Sequence, residues 1–378
     1  MSIRLIPRRL RISASVAVLI TLVLLAFPIA TFAQSRADAD GFYQQTNLVS
    51  DLPGAQFTDG QLVNPWGLVA SSTSPWWIAD NGTGLATLDN GQGVKTPLTV
   101  TIPVPTGSPA GSTAAPTGVV FSSSGFNVSE NGITASSRFI FSTEDGTISG
   151  WSPTVDQSHA ILEVDRSKVG AGAVYKGLAI GSNAAGTFLF ATNFRFGTVE
   201  VFDTNFNYVR SFTDPNLPKG YAPFGIQNIG GNLYVTFALQ NAAKHDDVAG
   251  QGHGFVDLFN TSGHLLRRIA SRDDLNSPWG LALAPANFGK FSNDLLVGNF
   301  GDGLIHAFNP LTGDGRGVLK GANGVPIRIS GLWSLQFGNG AAAGATNELF
   351  FTAGIDGEAH GLFGDLQFQI HAKRGRAI

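Results

Sequence analysis

A chain of 378 residues with 43% hydrophobic content is long and apolar enough to bury a large core, which excludes a disordered chain. Its 48 Gly and 28 Phe, against only 13% charged residues, favour many short strands joined by tight turns over long solvated helices. A formal charge of −3 argues against nucleic acid as a partner, and the absence of Cys excludes disulfides, thiolate catalysis and Cys-ligated zinc.

Arg4, Arg8, Arg9 and Arg11 precede an uncharged apolar run from Ile12 to Phe32. Thr31-Phe32-Ala33 supplies small residues at the two positions a signal peptidase reads, so residues 1–33 are expected to be a cleaved signal peptide and the protein secreted or periplasmic. An uncleaved anchor is the competing reading, because the run approaches the length of a bilayer span. Cleavage leaves a mature form with no membrane span. It removes four Arg and no acid, moving the charge from −3 to −7 and further from nucleic acid. Residues 34–41 are expected to be a flexible mature N-terminus.

Phe42–Val49 alternates like a strand and stands ahead of the first of six copies of one apolar phrase, which recurs about every fifty residues. The copies are Pro65-Trp66-Gly67-Leu68, Pro116-Thr117-Gly118-Val119, Tyr175-Lys176-Gly177-Leu178, Pro223-Phe224-Gly225-Ile226, Pro278-Trp279-Gly280-Leu281 and Leu332-Trp333-Ser334-Leu335. A second strand, a glycine-containing hairpin and a third strand follow, as in Leu295–Asn299, Asp302-Gly303 and Leu304–Phe308. Fourth strands are expected at Pro97–Pro103, Ala160–Val164, Tyr208–Phe212, Leu265–Ile269 and Gly317–Leu319. Four antiparallel strands per repeat make one propeller blade, so the expected fold is all-β: a six-bladed β-propeller over residues 42–370. The sixth unit lacks a fourth strand before the polar tail 371–378, and Phe42–Val49 is expected to supply it and close the ring.

The Pro-x-Gly phrase with its aromatic-rich and Val-Phe-Asp strands resembles the NHL-repeat propellers. Lys244-His245-Asp246-Asp247-Val248-Ala249-Gly250, Asn276–Pro285 and Val297–Gly303 resemble recurrent stretches of an uncharacterised family of secreted bacterial propeller proteins. That resemblance implies the fold and export but no activity.

In a propeller the hairpins between second and third strands and the starts of the innermost strands open on one face, where features from separate blades converge. Second strands end in Ile78-Ala79-Asp80-Asn81, Phe141-Ser142-Thr143-Glu144, Phe190-Ala191-Thr192-Asn193, Leu296-Val297-Gly298-Asn299 and Phe351-Thr352-Ala353-Gly354. Aligned at their last residues, Asn81, Glu144, Asn193 and Asn299 would form an all-oxygen ring suited to Ca2+. The alternative is that these residues end strands and bond their own turns. A polar insert from Gln240 to Gly254 replaces the fourth hairpin and carries Lys244, His245, Asp246, Asp247 and His253. With Asn64 these are the candidate ligand-binding face, and His245, Asp246 and Asp247 the candidate acid–base groups, against the alternative of a solvated loop. Trp66, Phe224, Trp279 and Trp333 either line a channel and stack on a ligand or pack between blades.

These features fit a module that binds a small molecule or an envelope or extracellular protein. They also admit a lactonase- or esterase-like hydrolase, since resemblance to the gluconolactonase group of six-bladed propellers implies an axial calcium that polarises a carbonyl. That group takes a ligand from a Glu in its first innermost strand. Here no Glu follows the leader before Glu130, and the strand reads Asn64-Pro65-Trp66-Gly67.

Overall fold

The computed structural model describes residues 1–2 and 41–371, and the described residues are all β, with one short 3₁₀ turn at Gly289–Phe291. Five four-stranded antiparallel sheets begin at the innermost strands Pro65–Val69, Pro116–Phe121, Tyr175–Asn183, Tyr221–Ile229 and Pro278–Leu283. The sixth runs outward from Leu332–Phe337 through Leu349–Ile355 and His360–Ile370 to Gly41–Ser50. The six-bladed β-propeller expected from the repeats is the fold.

The closing strand pairs antiparallel with His360–Ile370, from Gly41 opposite Ile370 to Ser50 opposite Leu362. It also reaches the neighbouring blade. The Tyr43 ring packs on Phe288, Phe291 and Phe368, and its hydroxyl donates to the Phe288 carbonyl at 2.9 Å.

Apolar side chains are buried in six clusters, one between each pair of adjacent blades, and in a seventh on the axis. Each sheet is therefore covered on both faces, which explains strands as uniformly apolar as Phe188-Leu189-Phe190-Ala191. The glycine of the repeated phrase lies where neighbouring innermost strands almost touch. A Cβ at Gly225 would collide with the Trp279 carbonyl, and one at Gly280 with the Trp333 carbonyl. Buried hydroxyls stitch the same junctions: Thr192 Oγ1 donates to the Phe224 carbonyl and Thr352 Oγ1 to the Trp66 carbonyl, both at 2.6 Å.

Some elements differ from expectation. The fourth strand of the first blade shrinks to Val100–Thr101, because Pro97 and Pro103 have no N–H for a ladder. A hairpin, Asn127–Glu130 with Ile133–Ser136, is inserted in the second blade, and Phe57–Thr58 adds in parallel to the closing strand. The expected leader 1–33 beyond its first two residues and the polar tail beyond His371 lie outside the described residues, as does the segment 34–41 except Gly41, which begins the closing strand. Among the described residues no helix is long and apolar enough to cross a membrane.

Candidate functional site

The residue before the glycine of each phrase, or before Ser334 in the sixth, lies on the axial side of its blade. In five blades it is Trp66, Thr117, Phe224, Trp279 or Trp333, and in the third it is Lys176. Trp66 and Trp333 stack at 3.5 Å between centroids, Trp279 meets both edge-on, and Phe300 stacks on Trp333 at 4.0 Å. Trp66, Phe224, Trp279 and Trp333 are all buried, so they form a plug and not the walls of an open channel. Trp279 Nε1 donates to the Lys176 carbonyl at 2.9 Å, and Trp333 Nε1 to Asn64 Oδ1 at 3.0 Å.

Above this plug lies a polar mouth to which every blade contributes. The Lys176 ammonium sits 5.1 Å from the Trp66 ring centre and bonds the Glu144 carboxylate and, at 3.3 Å, Asp246. Burial alone would pull its pKa down, but Glu144 and Asp246 outweigh that and hold it above the ordinary lysine value. Asn81 Nδ2 donates to the other oxygen of Glu144 at 3.0 Å. Asn64 Nδ2 reaches Asn81 Oδ1 at 3.3 Å and Glu358 at 2.9 Å. Beside the Lys176–Glu144 pair, His245 Nδ1 lies 2.7 Å from Asp246 Oδ1.

Electrostatics separate the acids. Burial pushes Asp246 up, yet the bonds from His245 and Lys176 bring it below the usual carboxylate range. Burial keeps Asp247 raised despite Ser277 and Lys176 beside it, and keeps Glu358 raised despite its bond from Asn64. Asn64, Ser277 and Glu358 have φ between 46° and 70°, so three non-glycine residues at the mouth adopt left-handed backbone.

The structure divides the residues singled out in the sequence. Asn64, Asn81, Glu144, His245, Asp246 and Asp247 converge on the mouth. Lys244 stands exposed at the tip of the insert, and His253 pins the insert's base, its Nδ1 2.8 Å from the Val248 carbonyl. Asn193 and Asn299 do not join a ring with Asn81 and Glu144. Asn193 is fully buried, accepts from the N–H of Val174 and Phe196, and donates to Glu200. Asn299 is also buried and donates to the Asp274 carbonyl at 2.8 Å. The cause is register: Pro65 pairs with Asp80 and Pro116 with Thr143, but Tyr175 pairs with Asn193 and Pro278 with Asn299. Asn81 and Glu144 thus lie one residue further along, and one residue exchanges the two faces of a strand. Lys176 and Glu358 were missed. Lys176 was legible as the one charged residue among the six axial positions of the phrase.

The class is a six-bladed β-propeller with buried aromatic rings packed on its axis and a polar mouth on its hairpin face. Among solved structures it is similar to streptogramin B lyase, with TM-score 0.50, 11% identity and 89% of this chain and 100% of that one covered. It is similar also to luciferin-regenerating enzyme, with TM-score 0.50, 12% identity and 81% and 92% covered. At these identities the likeness is one of fold. No family model matches the chain. The uncharacterised protein R648 of Acanthamoeba polyphaga mimivirus is 34% identical over 322 residues, covering 82% of this chain and 76% of that protein. The uncharacterised protein L690 of the same virus is 32% identical over 324 residues, covering 82% of each. The chain belongs to the family of these mimivirus proteins. These relatives are viral, where the resemblance in sequence implied a bacterial, exported family.

Proposed function

We propose that the protein is an exported ligand-binding propeller that holds a small molecule at the polar mouth of its hairpin face. The observation that carries this reading is convergence: polar groups from all six blades meet at one place, and three of the residues there, Asn64, Ser277 and Glu358, hold left-handed backbone. Strain of that kind costs on the order of 1–3 kcal/mol per residue and persists where surrounding structure enforces it, commonly at ligand sites. Glu144, Asp246, Asp247 and Glu358 outnumber Lys176 and His245, so the ligand that fits best carries hydroxyl or ammonium groups and no net negative charge.

A thermal-shift panel of neutral sugars, polyols, alkylamines and carboxylic acids tests this. Stabilisation is expected from the hydroxyl- or amine-bearing compounds and is lost in Glu358→Gln and Asp246→Asn. A ligand whose shift survives both substitutions binds elsewhere and overturns the assignment. Export is checked separately by N-terminal sequencing of protein recovered outside the cytoplasm of an expressing bacterium, which should begin at Gln34.

The His245–Asp246 pair also supplies an acid–base dyad, since a carboxylate at Nδ1 fixes the imidazole tautomer and leaves Nε2 for a substrate proton. Hydrolysis by such a dyad requires no metal. A lactone and ester screen with and without chelator, repeated on His245→Gln, separates this reading from simple binding.

A further inference from the structure

Resemblance to calcium-bearing propellers raises the question of what neutralises the acids around the axis. Glu144, His245 and Asp246 bring ligand atoms within 4.8 Å of one another, the spacing of a metal site. The Lys176 ammonium, however, bonds both carboxylates of that trio and is itself buried, with its side chain 3% exposed. Asn193 Oδ1 is committed to the backbone N–H of Val174 and Phe196, and Asn299, fully buried with its Nδ2 on the Asp274 carbonyl, sits at a different register from Asn81 and Glu144, so neither joins the trio. The calcium-ring donor set therefore does not fit a resident calcium.

We infer that Lys176 is a tethered cation that fills the axial seat, so that this propeller is metal-independent and a divalent-cation site lies latent beneath the lysine. Three features support it. The seat has both parts that recognise an ammonium: carboxylates at hydrogen-bond distance, and the faces of Trp66 and Phe194, whose centres lie 5.1 and 5.9 Å from Nζ. The lysine stem is held where it leaves the backbone, because its carbonyl accepts from Trp279 within the plug. A metal sharing the same oxygens would stand about 4 Å from the ammonium. At an effective dielectric of about 20, repulsion there weakens binding roughly a thousandfold per unit of metal charge.

The inference is independent of which ligand the mouth takes, and calcium alone tests it. For the full chain, calcium chloride and chelator are expected to leave the melting temperature and the calorimetric titration flat. Lys176→Met exposes the seat, and calcium should then raise its melting temperature, an effect abolished by adding Glu144→Gln. Reductive methylation mapped by mass spectrometry gives a second readout if Lys176→Met does not fold. Exposed Lys244 should be labelled and Lys176 protected, equally with and without calcium. Calcium stabilisation of the unsubstituted protein, calcium-dependent labelling of Lys176, or a folded Lys176→Met that ignores calcium would each overturn the inference.

Discussion

Asp89 ends the third strand of the first blade, fully buried, and neither carboxylate oxygen has a hydrogen-bond partner among the described residues. Burial, reinforced by the nearby Asp59 and opposed by Lys95, lifts its pKa from 3.8 to about 7. A carboxyl whose pKa is higher in the folded state binds its proton more tightly there. The stability this contributes is complete below pH 3.8, declines as the pH rises from there, and is gone above about 7. At about 1.4 kcal/mol per unit, the loss between pH 5 and pH 8 is on the order of 2–3 kcal/mol from this residue alone. Asp89→Asn keeps the shape and cannot ionise. By urea unfolding it should match the parent below about pH 4, and its advantage should grow by about 2–3 kcal/mol between pH 5 and pH 8, roughly 5 °C or more in melting temperature. The comparison of the two proteins isolates Asp89 from every other titrating group. If Asp89→Asn is no more stable than the parent at pH 8, the carboxylate is solvated or paired and the reasoning fails.

Arg268 bonds both Asp257, whose pKa burial raises to about 6, and Asp214. Arg268→Met should cost about 3–5 kcal/mol at pH 8 and visibly less at pH 5, where Asp257 takes up a proton; a cost equal at both values would count against a buried ionic latch. Gly225→Ala forces a Cβ against the Trp279 carbonyl and should cost about 1–3 kcal/mol in chemical denaturation. Ser334, at the same place in the sixth phrase, already carries a Cβ, so Ser334→Ala should change stability by less than about 1 kcal/mol. Equal costs at the two positions would mean that the junctions are not graded by backbone approach.

The ring was legible because the constraint that shapes it repeats. Each blade needs a small residue where its innermost strand meets the next, and five glycines and Ser334 mark that place in the chain. The closing strand was legible by bookkeeping of strands alone, since the sixth unit ran short while Phe42–Val49 had no partner. The site was less legible because it depends on register. The four tetrapeptides end alike in sequence, but the pairing shifts them by one residue between the first two blades and the third and fifth. A shift of one residue decides whether an amide faces the mouth or its own turn. Nor does composition reveal that Glu358 reaches Asn64, because that bond joins the sixth blade to the first through two left-handed residues.

The closing strand also sets a timetable. Gly41–Ser50 is made before every other described strand, yet its partner His360–Ile370 is the last to be made. Until that moment five blades can form from neighbouring segments, while the strand that completes the sixth waits with its edge unpaired. A chain that stalls or is cut before residue 360 keeps most of its local structure and still cannot shut. Under the export proposed above, N-terminus first across a membrane, that delay would be useful: the ring could not lock until the whole chain had passed.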